Sequence, residues 1–236
     1  MENNNFNLGT VIIPARGGSK RIPGKNIKPF AGRPAIHYPI EAALASGVVD
    51  QIIVSTDSKE IAECVKGIER VRIHFRPANL ADDITPTVPV ISEAILANNL
   101  DPLSPVCCVY PVNPFIVPSD IENGLELLKS NSDISYVNTI CTYSYPIQRA
   151  VRKNTNNHIE MFNPELALTR SQDLEEAFHD AGQWYWGKAN TWINGERLLF
   201  NSIGFPIPRW RCQDIDTLED WETSEILYEV SRRKLQ

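Results

Sequence analysis

The sequence has 236 residues, of which 42% are hydrophobic and 22% charged, with a formal net charge of −6. This length and composition suit one large α/β domain. The mild acidity argues against a general nucleic-acid-binding protein. No apolar run reaches the roughly 18 residues of a membrane span, and residues 1–7 lack a secretory apolar core. We therefore expect a cytoplasmic protein.

The five cysteines are not spaced as a recognisable metal or redox motif. None forms a C-x-x-C pair, and several have apolar neighbours in the sequence. Buried free thiols in a reducing compartment are favoured over disulfides or a metal site. The residues concerned are Cys64, Cys107, Cys108, Cys141 and Cys212.

Strand and helix patterns alternate along the first 141 residues. Buried-strand patterns lie at 10–13, 51–55, 71–75, 106–110 and 134–141. Helical patterns lie at 34–47 (opened by Pro34), 58–66, 87–98 and 118–130. This alternation predicts βαβ units and a mainly parallel sheet with helices on both faces.

The rhythm breaks at 143–173, a polar segment with two prolines and an Asn-rich tract. An excursion of this length predicts an arm or lid, although a long surface loop is the alternative. Short extended pieces are predicted at 184–186, 198–203 and 213–215. A final helix is predicted near Thr217, with Asp220 in a capping-box position. Its apolar side is expected to comprise Trp221, Ile226, Leu227 and Val230.

A cationic, glycine-containing loop follows the first strand. Its sequence, PARGGSKRIPGKN at 14–26, contains Arg16, Lys20, Arg21 and Lys25. In a sheet of this type, ligands bind beyond the carboxyl ends of the strands. Glycine backbone amides and these cations suit a triphosphate, whereas a solvated basic turn is the alternative. The G-x-G-x-x-G and Walker patterns are both absent.

Asp214 and Asp216 are spaced i, i+2 near the other end of the chain. In an extended segment both carboxylates project to one face, where they can share a Mg²⁺ ion. A strand-to-helix turn with Asp as a cap is the alternative. Asp57 is a further candidate for the metal, or else a cap for the helix from Ser58.

Four motifs together resemble the CMP-sugar-acid synthetases, the acylneuraminate cytidylyltransferase family. They are the loop at 14–26, VSTDSKEIA at 54–62, RPANLADDITPT at 76–87 and DIDTLEDW at 214–221. The segment FHDAGQWYWG at 178–187 resembles the pseudaminic acid branch. The sialic acid branch typically has Asn-Gly-Ala where this chain has Asp180-Ala181-Gly182, and Gln where it has Tyr110.

The resemblance implies a three-layer αβα Rossmann-like nucleotidyltransferase fold. It implies one domain over 1–236, with a small protruding arm at about 143–173, and a homodimer in which each arm reaches the other subunit's site. It also implies transfer of CMP from CTP to the anomeric hydroxyl of pseudaminic acid, a nine-carbon sugar acid. The products would be CMP-pseudaminic acid, for glycosylation of surface glycans or flagellin, and pyrophosphate.

The resemblance and the residue chemistry together predict three groups of site residues. The catalytic group, in which the two carboxylates hold Mg²⁺, is Arg16, Lys20, Lys25, Asp214 and Asp216. The nucleotide-binding group is Ala15, Gly17, Gly18, Ser19, Asn26, Arg76, Thr85 and Thr87. The sugar-binding group is Gln148, Arg170, Gln172, His179, Asp180 and Gln183, with Arg149 as an alternative cation. On a strand, the adjacent His179 and Asp180 would face opposite ways, which argues against a catalytic His–Asp couple.

Other functions stay open at this point. Within the family, legionaminic or sialic acid could be the acceptor. Outside it, Asp214-x-Asp216 could be the metal motif of a nucleotide-sugar-dependent glycosyltransferase, although such an enzyme has no need to hold a triphosphate. A nucleotide-binding homologue without turnover is the non-enzymatic alternative.

Overall fold

Eleven strands and six helices are described in the computed structural model, which covers residues 8–234. The strands are β1 (Gly9–Pro14), β2 (Pro29–Phe30), β3 (Arg33–Pro34), β4 (Val49–Thr56), β5 (Val71–Phe75), β6 (Pro105–Val109), β7 (Tyr136–Thr142), β8 (Val151–Lys153), β9 (Ile159–Met161), β10 (Phe178–Lys188) and β11 (Ser202–Pro206). The helices are α1 (His37–Ala45), α2 (Lys59–Val65), α3 (Thr87–Ala97), α4 (Pro118–Ser130), α5 (Ala189–Ile193) and α6 (Leu218–Lys234).

Seven of these strands form one sheet in the order β11-β7-β10-β6-β1-β4-β5. β1 pairs in parallel with β4 and β6, β4 with β5, and β7 with β11. Only β10 runs against its neighbours, pairing antiparallel with both β6 and β7. The prediction of a mainly parallel α/β sheet is therefore confirmed.

Alternation within β1 shows how the sheet separates two helical layers. Val11 and Ile13 pack into the cluster that contains residues of α1, α2 and α4. Ile12, between them, packs with residues of α3 and α5 on the other face. All three side chains are fully buried. Because side chains alternate across a strand, an unbroken apolar run marks a strand covered on both faces, and the fold has three layers.

Helix α4 approaches the sheet closely at Gly124. A Cβ atom at this position would lie 2.5 Å from Cη2 of the buried Trp184 on β10. Glycine here lets the indole ring lie directly against the helix backbone, so the central antiparallel strand is held tightly under α4.

A third cluster joins α6 to the segment after the first loop. Phe30, Tyr38 and Trp221 are buried together, and the ring centroids of Phe30 and Trp221 are 5.5 Å apart. The same cluster contains Ile22 from the first loop and Ile215 from the segment before α6. Apolar packing therefore brings the first loop and Asp214–Asp216 into the same region.

Several local predictions needed correction. Pro34 does not open a helix, because it pairs with Pro29 in a short hairpin and α1 begins at His37. The piece at 184–186 is part of the eleven-residue β10. Residues 213–215 belong to no strand. On α6, Ile226 and Val230 are exposed, and over residues 218–232 the buried side chains are those of Trp221 and Ser224.

The segment 143–173 lies between β7 and β10 and contains the antiparallel hairpin β8–β9 with three single-turn 3₁₀ helices. Its large apolar side chains include Leu168 and Tyr145, which are 97% and 84% exposed. Its action as an arm or lid stays a prediction. Over residues 8–234, no helix has the length and apolar character needed to cross a membrane.

Candidate active site

A cavity of about 1040 Å³ opens beyond the carboxyl ends of β1 and β6. Its walls come from the first loop, the segment 76–90, the start of β10 and the segment before α6. The predicted site residues that line it are Arg16, Ser19, Lys20, Lys25, Asn26, Arg76, Thr85, Thr87, His179, Asp180, Asp214 and Asp216. The structure thus gathers residues of all three predicted groups around one space.

Two carboxylates face the cations of the first loop. The Asp216 carboxylate accepts from Lys25 Nζ at 3.0 Å and from Arg21 Nη1 at 2.8 Å. The Asp83 carboxylate is paired with both Arg16 and Lys20. All four cations of the basic loop therefore pair with acidic side chains, although Lys20 and Arg21 stay largely exposed.

Asp214 carries unfavourable charge in the metal-free protein. Burial raises the pKa of its carboxyl group and the neighbouring Asp216 carboxylate raises it further, against the opposing effect of Lys25 and Arg21. A divalent cation would relieve both causes, because it neutralises the repulsion and replaces lost hydration. The oxygen donors of Asp214 and Asp216 therefore fit Mg²⁺.

The backbone of the first loop is pinned to the next strand. The Gly17 amide donates to the Asp57 carboxylate at 2.8 Å, and the buried Ala15 amide donates to the Ser55 carbonyl at 2.8 Å. Asp57 is thus not the cap of α2, because the Ser58 hydroxyl accepts from the Ile61 amide. Ala15, Gly17 and Gly18 do not line the cavity walls that the structure describes. Their contact with nucleotide stays a prediction.

Arg76 presents an incompletely satisfied guanidinium at the cavity. The residue is buried, Nη2 donates to the Ser55 carbonyl at 2.6 Å, and Nε has no partner among the described residues. The buried Ser55 hydroxyl also has no partner among these residues. Desolvation lowers the pKa of Arg76, although Asp57 and Glu93 oppose this effect. Arg76 lines the cavity, whereas both unpaired atoms are enclosed by protein.

Two hydrogen bonds shape the wall formed by the segment 82–87. The Asp82 carboxylate accepts from the Thr85 amide at 2.7 Å, and the Thr85 hydroxyl together with this amide holds the pKa of Asp82 below its usual value. The Thr87 hydroxyl lies 2.7 Å from the hydroxyl of Tyr110, whose pKa burial raises to about 12. Tyr110 therefore remains a neutral hydrogen-bonding group over the physiological pH range.

The Asp180 carboxylate is held in a fixed orientation at the cavity wall. The Tyr185 hydroxyl donates to its two oxygens at 2.8 and 2.9 Å, and the Gly182 amide donates at 2.9 Å. Gly182 has φ +61°, which glycine adopts without strain. His179 interacts instead with the Asp180 main-chain oxygen, so the two side chains form no catalytic couple.

The other predicted sugar-binding residues lie elsewhere in the described chain. Arg170 Nε pairs with Asp173 at 2.7 Å, and Gln148 Nε2 donates to the Glu175 carbonyl at 2.9 Å. Gln172 is exposed. Gln183 is buried, and its Nε2 donates to the Arg211 carbonyl at 2.6 Å. None of the four lines the described cavity, so their sugar contacts stay predictions.

Two residues that line the site were not predicted from the sequence. Asp83 lies inside the motif at 76–87 but received no role, and its pairing with Arg16 and Lys20 across 67 and 63 positions was not predicted. Tyr185 lies in the predicted extended piece at 184–186 and received no site role, but its hydroxyl reaches Asp180.

Comparison with known proteins places this geometry in a family. The family described as "Cytidylyltransferase" matches residues 10–200. The pseudaminic acid cytidylyltransferase of Campylobacter jejuni subsp. jejuni serotype O:2 is 39% identical over 93% of this chain and 96% of its own length. The CMP-N,N'-diacetyllegionaminic acid synthase of Legionella pneumophila is 29% identical over 95% of this chain and 97% of its own length.

A solved structure supports the fold independently. The structure of a CMP:2-keto-3-deoxy-manno-octonic acid synthetase complexed with CTP has a TM-score of 0.69 at 19% identity. The match covers 95% of this chain and 99% of that one. With a family match over most of its length and a 39% identical relative, the chain belongs to the cytidylyltransferase family.

Proposed function

We propose that this protein transfers CMP from CTP to pseudaminic acid, releasing pyrophosphate and CMP-pseudaminic acid. The observation that carries the proposal is the convergence of four loop cations, two late carboxylates and Arg76 on one cavity. Cations suit a triphosphate, paired carboxylates suit a divalent ion, and a guanidinium at the cavity wall suits a base or ribose. The acceptor is chosen from the named activity of the relatives that are 39% identical.

In this reaction the anomeric oxygen of the sugar acid forms a bond to the α-phosphorus of CTP. The bond from that phosphorus to the bridging oxygen breaks, the pyrophosphate departs with the electron pair, and the hydroxyl loses its proton. Arg16, Lys20 and Lys25 would hold the phosphates that leave. Because phosphoryl transfer needs positioning and charge neutralisation, no covalent nucleophile is required.

Asp214 and Asp216 would hold Mg²⁺ next to these cations. The bound ion would polarise the α-phosphate and offset its negative charge. When CTP enters, Lys25 and Arg21 can exchange the Asp216 carboxylate for phosphate oxygens, which leaves both carboxylates available as ligands. The cations and the Asp216 carboxylate thus neutralise each other before substrate binds. Afterwards the cations neutralise the phosphates and the carboxylates neutralise the metal ion.

Recognition of the base and of the sugar is assigned to two groups of cavity residues. Arg76 and the segment around Thr85 would contact cytosine and ribose, with Asn26 fixed by its donation to the Arg16 carbonyl at 2.8 Å. Asp180 would accept from a sugar hydroxyl or acylamino group. Its two bonds from Tyr185 keep that acceptor pointing in one direction.

A substrate panel tests the proposal directly. The protein is incubated with CTP, Mg²⁺ and one of pseudaminic, legionaminic or sialic acid, and pyrophosphate release and the mass of the CMP-sugar are measured. We expect the highest kcat/KM with pseudaminic acid. A preference for legionaminic or sialic acid would refute the acceptor assignment, and no release with any of the three would favour a non-catalytic homologue.

We also propose that the protein acts as a cytoplasmic homodimer through the segment 143–173. The exposed Leu168 and Tyr145 supply apolar surface for a second copy, and the five free cysteines suit a reducing compartment. Light scattering should give twice the mass of one chain. Leu168→Asp should shift the protein to monomers, whereas Leu103→Asp, at a residue that is 72% exposed and far from this segment in the sequence, should not.

A further inference from the structure

Three metal-binding side chains meet beside the cavity without belonging to the nucleotide site. Cys141 lies on β7, His179 on β10, and Cys212 directly after the single-turn helix Arg209–Arg211. The two cysteine sulfurs and one ring nitrogen of His179 all lie within 4.8 Å of one another. The sequence does not predict this cluster, since 38 positions separate Cys141 from His179 and 33 separate His179 from Cys212.

The fold itself brings the three side chains together. His179 is directly opposite Cys141 in the antiparallel pairing of β10 with β7, and residues paired in this way project from the same face. The Cys212 sulfur reaches the Ala181 carbonyl on β10 at 3.8 Å. Cys141 is 1% exposed, whereas His179 and Cys212 both line the cavity.

We propose that Cys141, His179 and Cys212 form a Zn²⁺ site with one coordination position open to the cavity. Two thiolates and an imidazole are a donor set that zinc prefers, and three protein ligands leave a position for water or substrate. This donor set differs from the carboxylate oxygens assigned to Mg²⁺. Zn²⁺ would therefore bind the sulfur and nitrogen ligands, and Mg²⁺ the carboxylate oxygens, within one cavity.

The hydrogen bond of His179 supports its role as a ligand. Its Nδ1 lies 2.9 Å from the Asp180 main-chain oxygen. A carbonyl oxygen only accepts, so Nδ1 carries the proton and the lone pair of the neutral ring lies on Nε2. Metal-binding histidines typically donate their other ring nitrogen to a carbonyl or carboxylate in this way.

A metal at this site would have a structural consequence for catalysis. Cys212 precedes Asp214 by two residues, in a segment that belongs to no strand. Zinc would tie that segment to β7 and β10 and so position the carboxylates assigned to Mg²⁺. This proposal is independent of the acceptor sugar and of turnover.

The test is direct metal binding by the reduced full-length protein. Co²⁺ serves as a spectroscopic probe, because thiolate ligands give an intense ligand-to-metal absorption band. Zn²⁺ binding is measured by equilibrium dialysis in excess Mg²⁺ and a non-thiol reductant. We expect one Zn²⁺ per chain, a thiolate–Co²⁺ band and loss of that band on adding Zn²⁺.

Variants locate the ion. Cys212→Ser and His179→Gln should each weaken Zn²⁺ binding by more than about tenfold, and Cys212→Ser should diminish the band. Cys64→Ser is the matched control, since Cys64 lies 3.5 Å from His37 but no third metal-binding side chain joins the two among the described residues. Circular dichroism checks that each variant is folded. Asp216→Asn should leave the band unchanged.

Three results would overturn the proposal. The first is the absence of a thiolate–Co²⁺ band in the reduced protein. The second is a band of full strength in folded Cys212→Ser. The third is loss of the band in Asp216→Asn, which would place the ion at the carboxylates.

Discussion

The Nζ atom of Lys25 lies 3.0 Å from Oδ1 of Asp216, although 191 positions separate the two residues in the chain. Arg21 contacts the other oxygen of the same carboxylate at 2.8 Å. The pairing shows that the first loop and the segment before α6 form one electrostatic unit. A ligand that carries both phosphates and a divalent cation can satisfy both halves of this unit at once.

Asp216→Asn should lower kcat by more than about a hundredfold, because a metal held at the reacting phosphate contributes several kcal/mol to transition-state stabilisation. The fold should survive, since partly exposed ion pairs contribute only about 0.2–1 kcal/mol each. Pyrophosphate release at saturating CTP and circular dichroism measure the two effects. Asp50→Asn, at an exposed residue of β4, is the control. Unchanged turnover in Asp216→Asn would remove the metal assignment.

Asp214→Asn should stabilise the metal-free protein while reducing turnover. The raised pKa of Asp214 means that its charged form is disfavoured in the folded state. This penalty is present above the folded-state pKa and disappears below the unfolded-state pKa. Since the side chain is partly exposed, we expect a melting temperature only about 1–3 °C higher at pH 7, and a smaller difference near pH 4.

Asp220→Asn is the opposite-sign control for that experiment. Asp220 accepts from the Thr217 amide at 2.7 Å and from its hydroxyl at 2.7 Å, and these bonds lower its pKa. Its charge therefore stabilises the start of α6 at neutral pH, and Asp220→Asn should lower the melting temperature. If Asp214→Asn and Asp220→Asn shift the melting temperature in the same direction, the local charge environment does not explain the change in stability.

Asp83→Asn should tighten CTP binding. Lys20 and Arg16 lower the pKa of the Asp83 carboxyl, which competes with a triphosphate for these two cations. Removing an exposed ion pair should increase the affinity about two- to fivefold, as measured by titration calorimetry at low salt. Asp82→Asn makes the same charge change at the adjacent residue. An equal gain in both variants would indicate a general field effect.

Tyr185→Phe should raise the KM for the sugar acid with little change in CTP affinity. The substitution keeps the buried ring but removes the hydroxyl that donates to both Asp180 oxygens. Tyr136→Phe is the control, because its hydroxyl donates to the Glu196 carbonyl and does not line the described cavity. A larger effect on the KM for CTP would contradict the assignment of Asp180 to the sugar.

Helices and strands were predicted correctly where the local sequence pattern and the tertiary packing favour the same structure. The strand Val71–Phe75 and the helix Pro118–Ser130 have the predicted bounds, the latter because Pro at the first position marks a helix start. The capping box at Thr217 and Asp220 is confirmed by reciprocal hydrogen bonds. The same rule gave a wrong start at Pro34. Proline also occurs in short edge strands, and Pro34 lies in the hairpin that precedes α1.

Long-range placement was harder to predict. The motifs indicated that Lys25 and Asp216 serve one substrate, and the cavity contains both. The pairing of Asp83 with Arg16, and the meeting of Cys141 with His179 and Cys212, depend on which strand lies beside which. Local hydrophobic periodicity does not determine strand order, so these contacts could be identified only from the structure.

The insertion of β10 between β6 and β7 has a consequence for biosynthesis. On the ribosome, β7 emerges well before the strand that separates it from β6 in the finished sheet. Until residue 188 is translated, the edge of β6 that will meet β10 and both edges of β7 are left open to intermolecular pairing. A nascent chain stalled in this interval is thus exposed to aggregation. The cavity is completed only after the last third of the chain, which contains residues 179–185 and 212–216, has been translated.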